Sequence, residues 1–128
     1  MSLDLKDAIE LYQSQYELVD SIWAYYNAVA ISILGYTIGT QRSTQKLLEF
    51  RAMQCGFLVF SVGNLAAIVF AQTDLQTLAN YVNKVGRDPD IMISVNPVNV
   101  ELLIIFHVFV TFAVVVGIDY VYRSRRNK

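Results

Sequence analysis

The chain contains 128 residues, of which 55 % are hydrophobic and 16 % are charged, and its formal net charge is −1. So few charged residues, against about 25 % in an average soluble domain, argue against a soluble globular protein. The lack of net positive charge argues against a nucleic-acid partner, and the length fits one domain. A single cysteine, Cys55, excludes an intrachain disulfide.

Three apolar segments produce this composition. Residues 21–41, 52–73 and 102–118 contain no Asp, Glu, Lys or Arg. A helix needs about 20 mostly apolar residues to cross a bilayer core of roughly 30 Å, and the third segment reaches that length with its lightly polar flanks. The sequence therefore predicts an all-α integral membrane protein. Its three transmembrane helices form an up-down bundle in a single domain, residues 1–128.

The first helix, predicted at about residues 3–39, begins well before its span. Asp4 can cap it, and Leu5, Ile9, Tyr12 and Tyr16 lie on one helical stripe. Nothing in this stretch breaks a helix. We therefore expect it to project about four turns beyond the outer leaflet.

The second helix, at about residues 44–86, projects in the same direction. Leu75, Leu78 and Val82 form an apolar stripe, and Gly86 occupies the position of a C-terminal glycine cap. The two facing stripes predict that helices 1 and 2 pair as a helical stalk. The alternative is that each extension lies flat on the bilayer as an interfacial helix.

An outer loop at residues 87–96 joins the second helix to the third. Its apolar stretch, residues 91–95, is expected to pack on the stalk or on a partner. Asn96 followed by Pro97 is a helix-start pattern, which places the third helix at about residues 97–122. Asp119 and Arg123 are spaced to pair near the inner interface, before a basic tail at 123–128.

The basic residues predict an orientation, because short loops rich in Lys and Arg remain on the cytoplasmic side. Seven lie on the side of the C-terminus: Arg42, Lys46, Arg51, Arg123, Arg125, Arg126 and Lys128. Three lie on the other side: Lys6, Lys84 and Arg87. We expect the N-terminus outside and the C-terminus on the cytoplasmic or matrix side of a bacterial inner membrane or an organelle membrane.

Small residues recur at helical spacing in the first two spans and predict close helix packing, within one chain or between protomers. They are Ala24, Ala28, Ser32, Gly35 and Gly39 in the first span, and Gly56, Gly63 and Ala67 in the second.

Each span also carries one strongly polar residue on the outer side of its midpoint. These residues, Asn27, Asn64 and His107, all lie within roughly 6 Å of the span midpoints along the helix axis. Such groups are costly in lipid and usually face protein or water. One interpretation is a hydrogen-bonded clasp that fixes helix register. The other is a polar constriction or protonatable gate in which His107 titrates.

Three carboxylates, Glu17, Asp20 and Glu101, lie near the outer interface. In an oligomer they would form an acidic rim that concentrates cations. In a single bundle they are solvated charges at headgroup level.

The sequence contains no catalytic motif, no metal-ligand spacing and only one histidine, so neither an enzyme, a metal site nor a cofactor is expected. We expect a non-catalytic protein that acts by assembly, as an accessory or structural subunit of a membrane complex. Its partners are the lipid bilayer and other membrane-protein subunits or itself. A third hypothesis is a redox or proton-transfer subunit that uses His107.

In its topology alone, the chain resembles one class of phage holins, which are small three-span proteins with an outer N-terminus and a basic inner tail. The main alternative function is a self-assembling homo-oligomeric pore or channel, holin-like or ion-conducting, which the polar layer of Asn27, Asn64 and His107 and the acidic rim suggest.

Overall fold

The computed structural model describes residues 4–39, 47–87 and 93–126. These residues form three α-helices, α1 (Leu5–Gly39), α2 (Leu47–Val85) and α3 (Val100–Arg126). Each helix is long enough and apolar enough to cross a membrane, judged by length and composition. The prediction of an all-helical fold with three helices of membrane-spanning length is confirmed, and it is consistent with a location in a membrane.

Helix α1 begins at Leu5 in the structure, and residue 3, the predicted start, lies outside the described residues. The backbone N–H of Ala8 donates to the carbonyl oxygen of Asp4 at 3.0 Å, which is the first helical hydrogen bond. The Asp4 side chain accepts from the N–H of Leu5 at 2.7 Å. An acidic residue at this end of a helix also offsets the exposed backbone N–H groups.

Helix α3 begins at Val100, three residues later than predicted, and continues to Arg126, inside the predicted basic tail. Its cap is Asn99, whose carbonyl accepts from Leu103 N–H at 3.1 Å and whose Oδ1 accepts from Glu101 N–H at 2.9 Å. A start at Pro97 would need the Val98 carbonyl for a helical hydrogen bond. That carbonyl instead accepts from the Gln72 side chain of α2 at 2.6 Å.

The segment before α3 is held against α2 by amide side chains. Asn83 accepts from the backbone N–H of Val95 at 2.8 Å and donates to the Val95 carbonyl at 2.9 Å. This pair of bonds satisfies the backbone polar groups of a residue that is outside any helix. Within the predicted apolar stretch 91–95, residues 91 and 92 lie outside the described residues.

Gly86 ends α2 without a left-handed conformation. Its N–H continues the helical pattern by donating to the Val82 carbonyl at 2.8 Å. A Cβ atom at Gly86 would lie 3.0 Å from that carbonyl oxygen and 3.3 Å from the Ile93 carbonyl oxygen. The glycine therefore permits close approach of the 93–95 segment.

All three helices contact one another. Gln15 of α1 donates to the Ala71 carbonyl of α2, and Thr37 of α1 lies 3.7 Å from the Met53 sulfur of α2. The later residue of α1 therefore contacts the earlier residue of α2. At the C-terminal end of α3, Asp119 and Arg123 form the predicted ion pair at 2.7 Å.

Two apolar clusters lie between the helices. The first contains Tyr26, Ala30, Phe50, Phe57, Val114 and Ile118. The second contains Val19, Ile68, Ala71, Leu75 and Leu103. Large apolar side chains such as Ile31, Val59 and Phe109 point outward and are mostly exposed. A lipid-facing surface accounts for them, since lipid tails are as apolar as these side chains.

The capping assignment predicts that Asn99→Ala lowers the free energy of unfolding by about 1 kcal/mol, because it removes the side-chain acceptor for the Glu101 N–H. The matched control is Asn96→Ala, which removes an exposed asparagine that caps no helix. Unfolding of both variants in detergent, followed by circular dichroism, measures the difference. A larger loss for Asn96→Ala than for Asn99→Ala would contradict the assignment.

Candidate functional site

A chain of polar contacts joins the three helices in the middle of the apolar core. Tyr26 of α1 is fully buried, and its hydroxyl lies 2.7 Å from the Thr111 hydroxyl of α3. Thr111 donates its own proton to the His107 carbonyl at 2.9 Å. Because a hydroxyl has one proton to donate, Tyr26 is the donor to Thr111. This contact fixes α1 against α3.

His107 connects α3 to α2. Its side chain is 1 % exposed, and Nε2 lies 3.1 Å from the backbone carbonyl oxygen of Ser61. A carbonyl only accepts, so Nε2 carries the proton in this arrangement. The imidazole also packs on Tyr26 at 4.2 Å between ring centroids, and Trp23 lies 5.8 Å away. One histidine thus contacts residues of both other helices.

Three polar atoms in this region have no hydrogen-bond partner among the described residues: Ser61 Oγ, Asn64 Oδ1 and His107 Nδ1. All three are inaccessible to solvent. Ser61, His107 and Thr111 also line a cavity of about 260 Å³ whose other walls are apolar. A covered polar atom without a hydrogen-bond partner costs free energy in the low-dielectric interior of a protein.

The structure brings two of the three residues of the predicted polar layer into the core. Asn64 and His107 are buried, whereas Asn27 is exposed on the outer face of α1. Successive helical residues point about 100° apart, so the burial of Tyr26 turns Asn27 away. The side chain of Asn27 makes no hydrogen bond to the described residues. The role of the layer as clasp or gate stays a prediction.

Sequence reasoning missed Tyr26, Ser61 and Thr111. Tyr26 had the signature of the aromatic belt at a membrane interface, which is the usual position for tyrosine in a spanning helix. Thr111 had one available signal, its position four residues after His107 on the same helix face.

Among the described residues, the small residues of the first two spans lie on exposed faces of α1 and α2. All eight are exposed, and a Cβ atom added at Gly35, Gly39, Gly56 or Gly63 would meet no atom within 4 Å. The remaining four exposed small residues are Ala24, Ala28, Ser32 and Ala67. Packing between protomers, the second interpretation of these residues, is left without a test.

Aromatic side chains supply the contacts within the chain that the small residues do not. Tyr26 packs against Phe57 and Phe60 with ring centroids 6.3 and 6.1 Å apart. Phe50 of α2 stacks on Tyr122 of α3 at 4.4 Å. Such aromatic pairs stabilise through geometry as well as through buried area.

The three carboxylates of the predicted acidic rim are exposed, and none forms an ion pair with another described residue. Asp20 differs from Glu17 and Glu101 because it lines a large cavity between α1 and α3. Within the described ranges, no group of three or more His, Cys, Asp or Glu residues is placed to hold a metal ion.

The hydrogen bond from Tyr26 to Thr111 is expected to contribute to the free energy of unfolding. Tyr26→Phe removes the hydroxyl that donates to Thr111 and should lower the free energy of unfolding by about 0.6 kcal/mol, the average for such bonds within membranes. The matched control is Tyr25→Phe at the neighbouring position, where the side chain is 63 % exposed. Unfolding in mixed detergent and dodecyl sulfate measures both variants. Equal losses for the two would show that Tyr26 donates no stabilising hydrogen bond.

Comparison with protein-family models, with curated proteins and with solved structures finds no match to this chain. Its function is therefore inferred from its own residues and their geometry.

Proposed function

We propose that this chain is a non-catalytic integral membrane protein that acts by assembly, as an accessory or structural subunit of a membrane complex. The observation that carries the proposal is the outward position of all eight small residues on α1 and α2. Small residues promote association of helices in a bilayer because they let two backbones approach closely. In the part of the chain that the structure describes, these residues are left exposed and available to a partner helix.

In this proposal the three helices cross the bilayer up, down and up, with the N-terminus outside and the basic C-terminal tail inside. The α1–α2 contacts from Gln15–Ala71 to Thr37–Met53 support opposite directions for those two helices. The excess of Lys and Arg on the side of the C-terminus supports the orientation.

The extensions of α1 and α2 form the stalk of this arrangement. Ala8 in α1 and Ala79 and Val82 in α2 lie outside the spans, yet they are 0 %, 2 % and 0 % exposed. Helices lying flat on the bilayer would bury their apolar face in lipid instead, so this burial within the chain supports pairing.

Asn27 adds a second reason for a partner. An amide that faces lipid at membrane depth leaves its donors and acceptor unsatisfied, which costs free energy. In an assembled complex, a polar group of a neighbouring helix would pair with it. Asn27 lies on the same outward side as Ala24, Ala28 and Ile31.

A self-assembling pore is the alternative function, and the outward Asn27 is the observation that favours it. Several copies could place Asn27 on the wall of a shared channel. The gate version of this alternative assigns proton sensing to His107, so His107→Leu should change conductance or its pH dependence. In the subunit version, His107→Leu reduces stability at most.

The subunit proposal predicts the assembly state. Expressed alone and released in mild detergent, the chain should give a monomer or undefined aggregates by native mass spectrometry. Extracted from its own membrane, it should give a larger complex of defined mass. Gly63→Leu should release the chain from that complex, because the leucine would occupy the contact surface, while a Cβ atom at this position meets no other helix among the described residues.

The matched control is Ala113→Leu, which enlarges an exposed small residue on α3, outside the proposed surface. The complex should survive this change. A discrete ring of identical chains would contradict the subunit proposal and support the pore.

A further inference from the structure

A groove of about 410 Å³ opens between α1 and α3. Its floor is formed by the buried side chains of Val19, Leu75 and Leu103, and its sides include Trp23 and Phe106. Asp20 provides a carboxylate at this groove. The volume lies within the range of roughly 300–1,000 Å³ that is common for small-molecule sites. We refer to it as the α1–α3 groove.

The floor of the α1–α3 groove suits an alkyl chain. Gln72 is the polar residue in contact with it from α2; it is 2 % exposed, and its side-chain nitrogen donates one hydrogen bond to the Val98 carbonyl at 2.6 Å. The remaining floor side chains are aliphatic. An occupant therefore meets apolar surface along the floor, which favours hydrocarbon over a polar solute.

The charge at the α1–α3 groove has one sign. Asp20 is exposed and forms no ion pair with a described residue, and no Lys or Arg lines the groove. Trp23 lies one turn from Asp20 on α1, and its ring is held by Phe106 at 5.6 Å and by Tyr26 at 6.0 Å. An aromatic ring beside a carboxylate attracts a cationic group, since both present negative potential.

From these observations we infer that the α1–α3 groove binds a membrane phospholipid whose headgroup carries an amine, with one acyl chain on the apolar floor and the ammonium group beside Asp20. This inference rests on the membrane location in the proposed function. An anionic lipid fits the floor equally well, but its headgroup is repelled by Asp20. Of the groove residues, Trp23, Leu103 and Phe106 lie inside the predicted spans, where the upper part of an acyl chain would pack, and Asp20 lies at the level of the headgroup.

Trp23 is the single tryptophan of the chain, so its fluorescence reports directly on the α1–α3 groove. The protein is reconstituted in phosphatidylglycerol vesicles that contain a small fraction of lipid with brominated acyl chains, which quench a tryptophan on contact. One preparation contains brominated phosphatidylethanolamine and the other contains brominated phosphatidylglycerol. We expect apparent binding of the amine lipid to be about two- to fivefold stronger, the ratio for one exposed ion pair.

Asp20→Asn should remove this preference. The matched control is Glu17→Gln, which neutralises an exposed carboxylate one turn away that does not line the groove. This variant should keep the preference. Equal quenching by the two brominated lipids in the native chain would overturn the inference. Equal loss in Asp20→Asn and Glu17→Gln would also overturn it, because general surface charge would then explain the preference.

A failure of the membrane location is distinguishable from a failure of the lipid site. If the chain did not insert, it would not float with the vesicles and neither lipid would quench Trp23. If it inserted without a specific site, it would float and both lipids would quench equally.

Discussion

We expect the contacts among Tyr26, Thr111, His107 and Ser61 to fix how the three helices face one another. Each span is apolar on nearly all sides, so apolar burial alone favours many rotations about the helix axes almost equally. The hydrogen bond from Tyr26 to Thr111 and the one from His107 to the Ser61 carbonyl are expected to favour the register in which both form. Inside a bilayer no water replaces a lost hydrogen bond, so breaking either bond leaves polar groups unpaired. Because hydrogen bonds are directional and apolar packing is not, these bonds influence how the helices pack.

The consequences of this register extend to the outer surface. With Tyr26 facing inward, Asn27 and the small residues of α1 face outward. With Ser61 facing α3, Gly56 and Gly63 are left exposed on another side of α2. The surface that we propose for assembly is therefore set by the same contacts that close the core. Side chains of α2 also hold the non-helical segment before α3. Gln72 and Asn83 donate hydrogen bonds to backbone carbonyls of this segment.

The sequence predicts the existence of the helices well, because uninterrupted apolar segments of this length have few other solutions. Local signals also placed the Asp4 cap and the Asp119–Arg123 pair. The residue at which α3 begins could not be predicted from the nearby sequence, because Asn96 and Asn99 are both good helix caps. A tertiary contact to the Val98 carbonyl selects Asn99. The inward faces were the least predictable feature. Spans that are apolar all around carry no amphipathic stripe, so small residues and aromatic residues compete for the same interface.

The central claim is that the three helices span a bilayer with the N-terminal extension outside and the basic tail inside. Single-cysteine labelling tests it most directly, in a Cys55→Ser background that removes the native thiol. Gln13→Cys, Asn80→Cys and Ser124→Cys each replace an exposed, uncharged residue. A membrane-impermeant maleimide added to intact cells or sealed vesicles of known orientation should label positions 13 and 80, and should reach position 124 only after permeabilisation. Labelling of positions 13 and 124 from the same side would contradict the account.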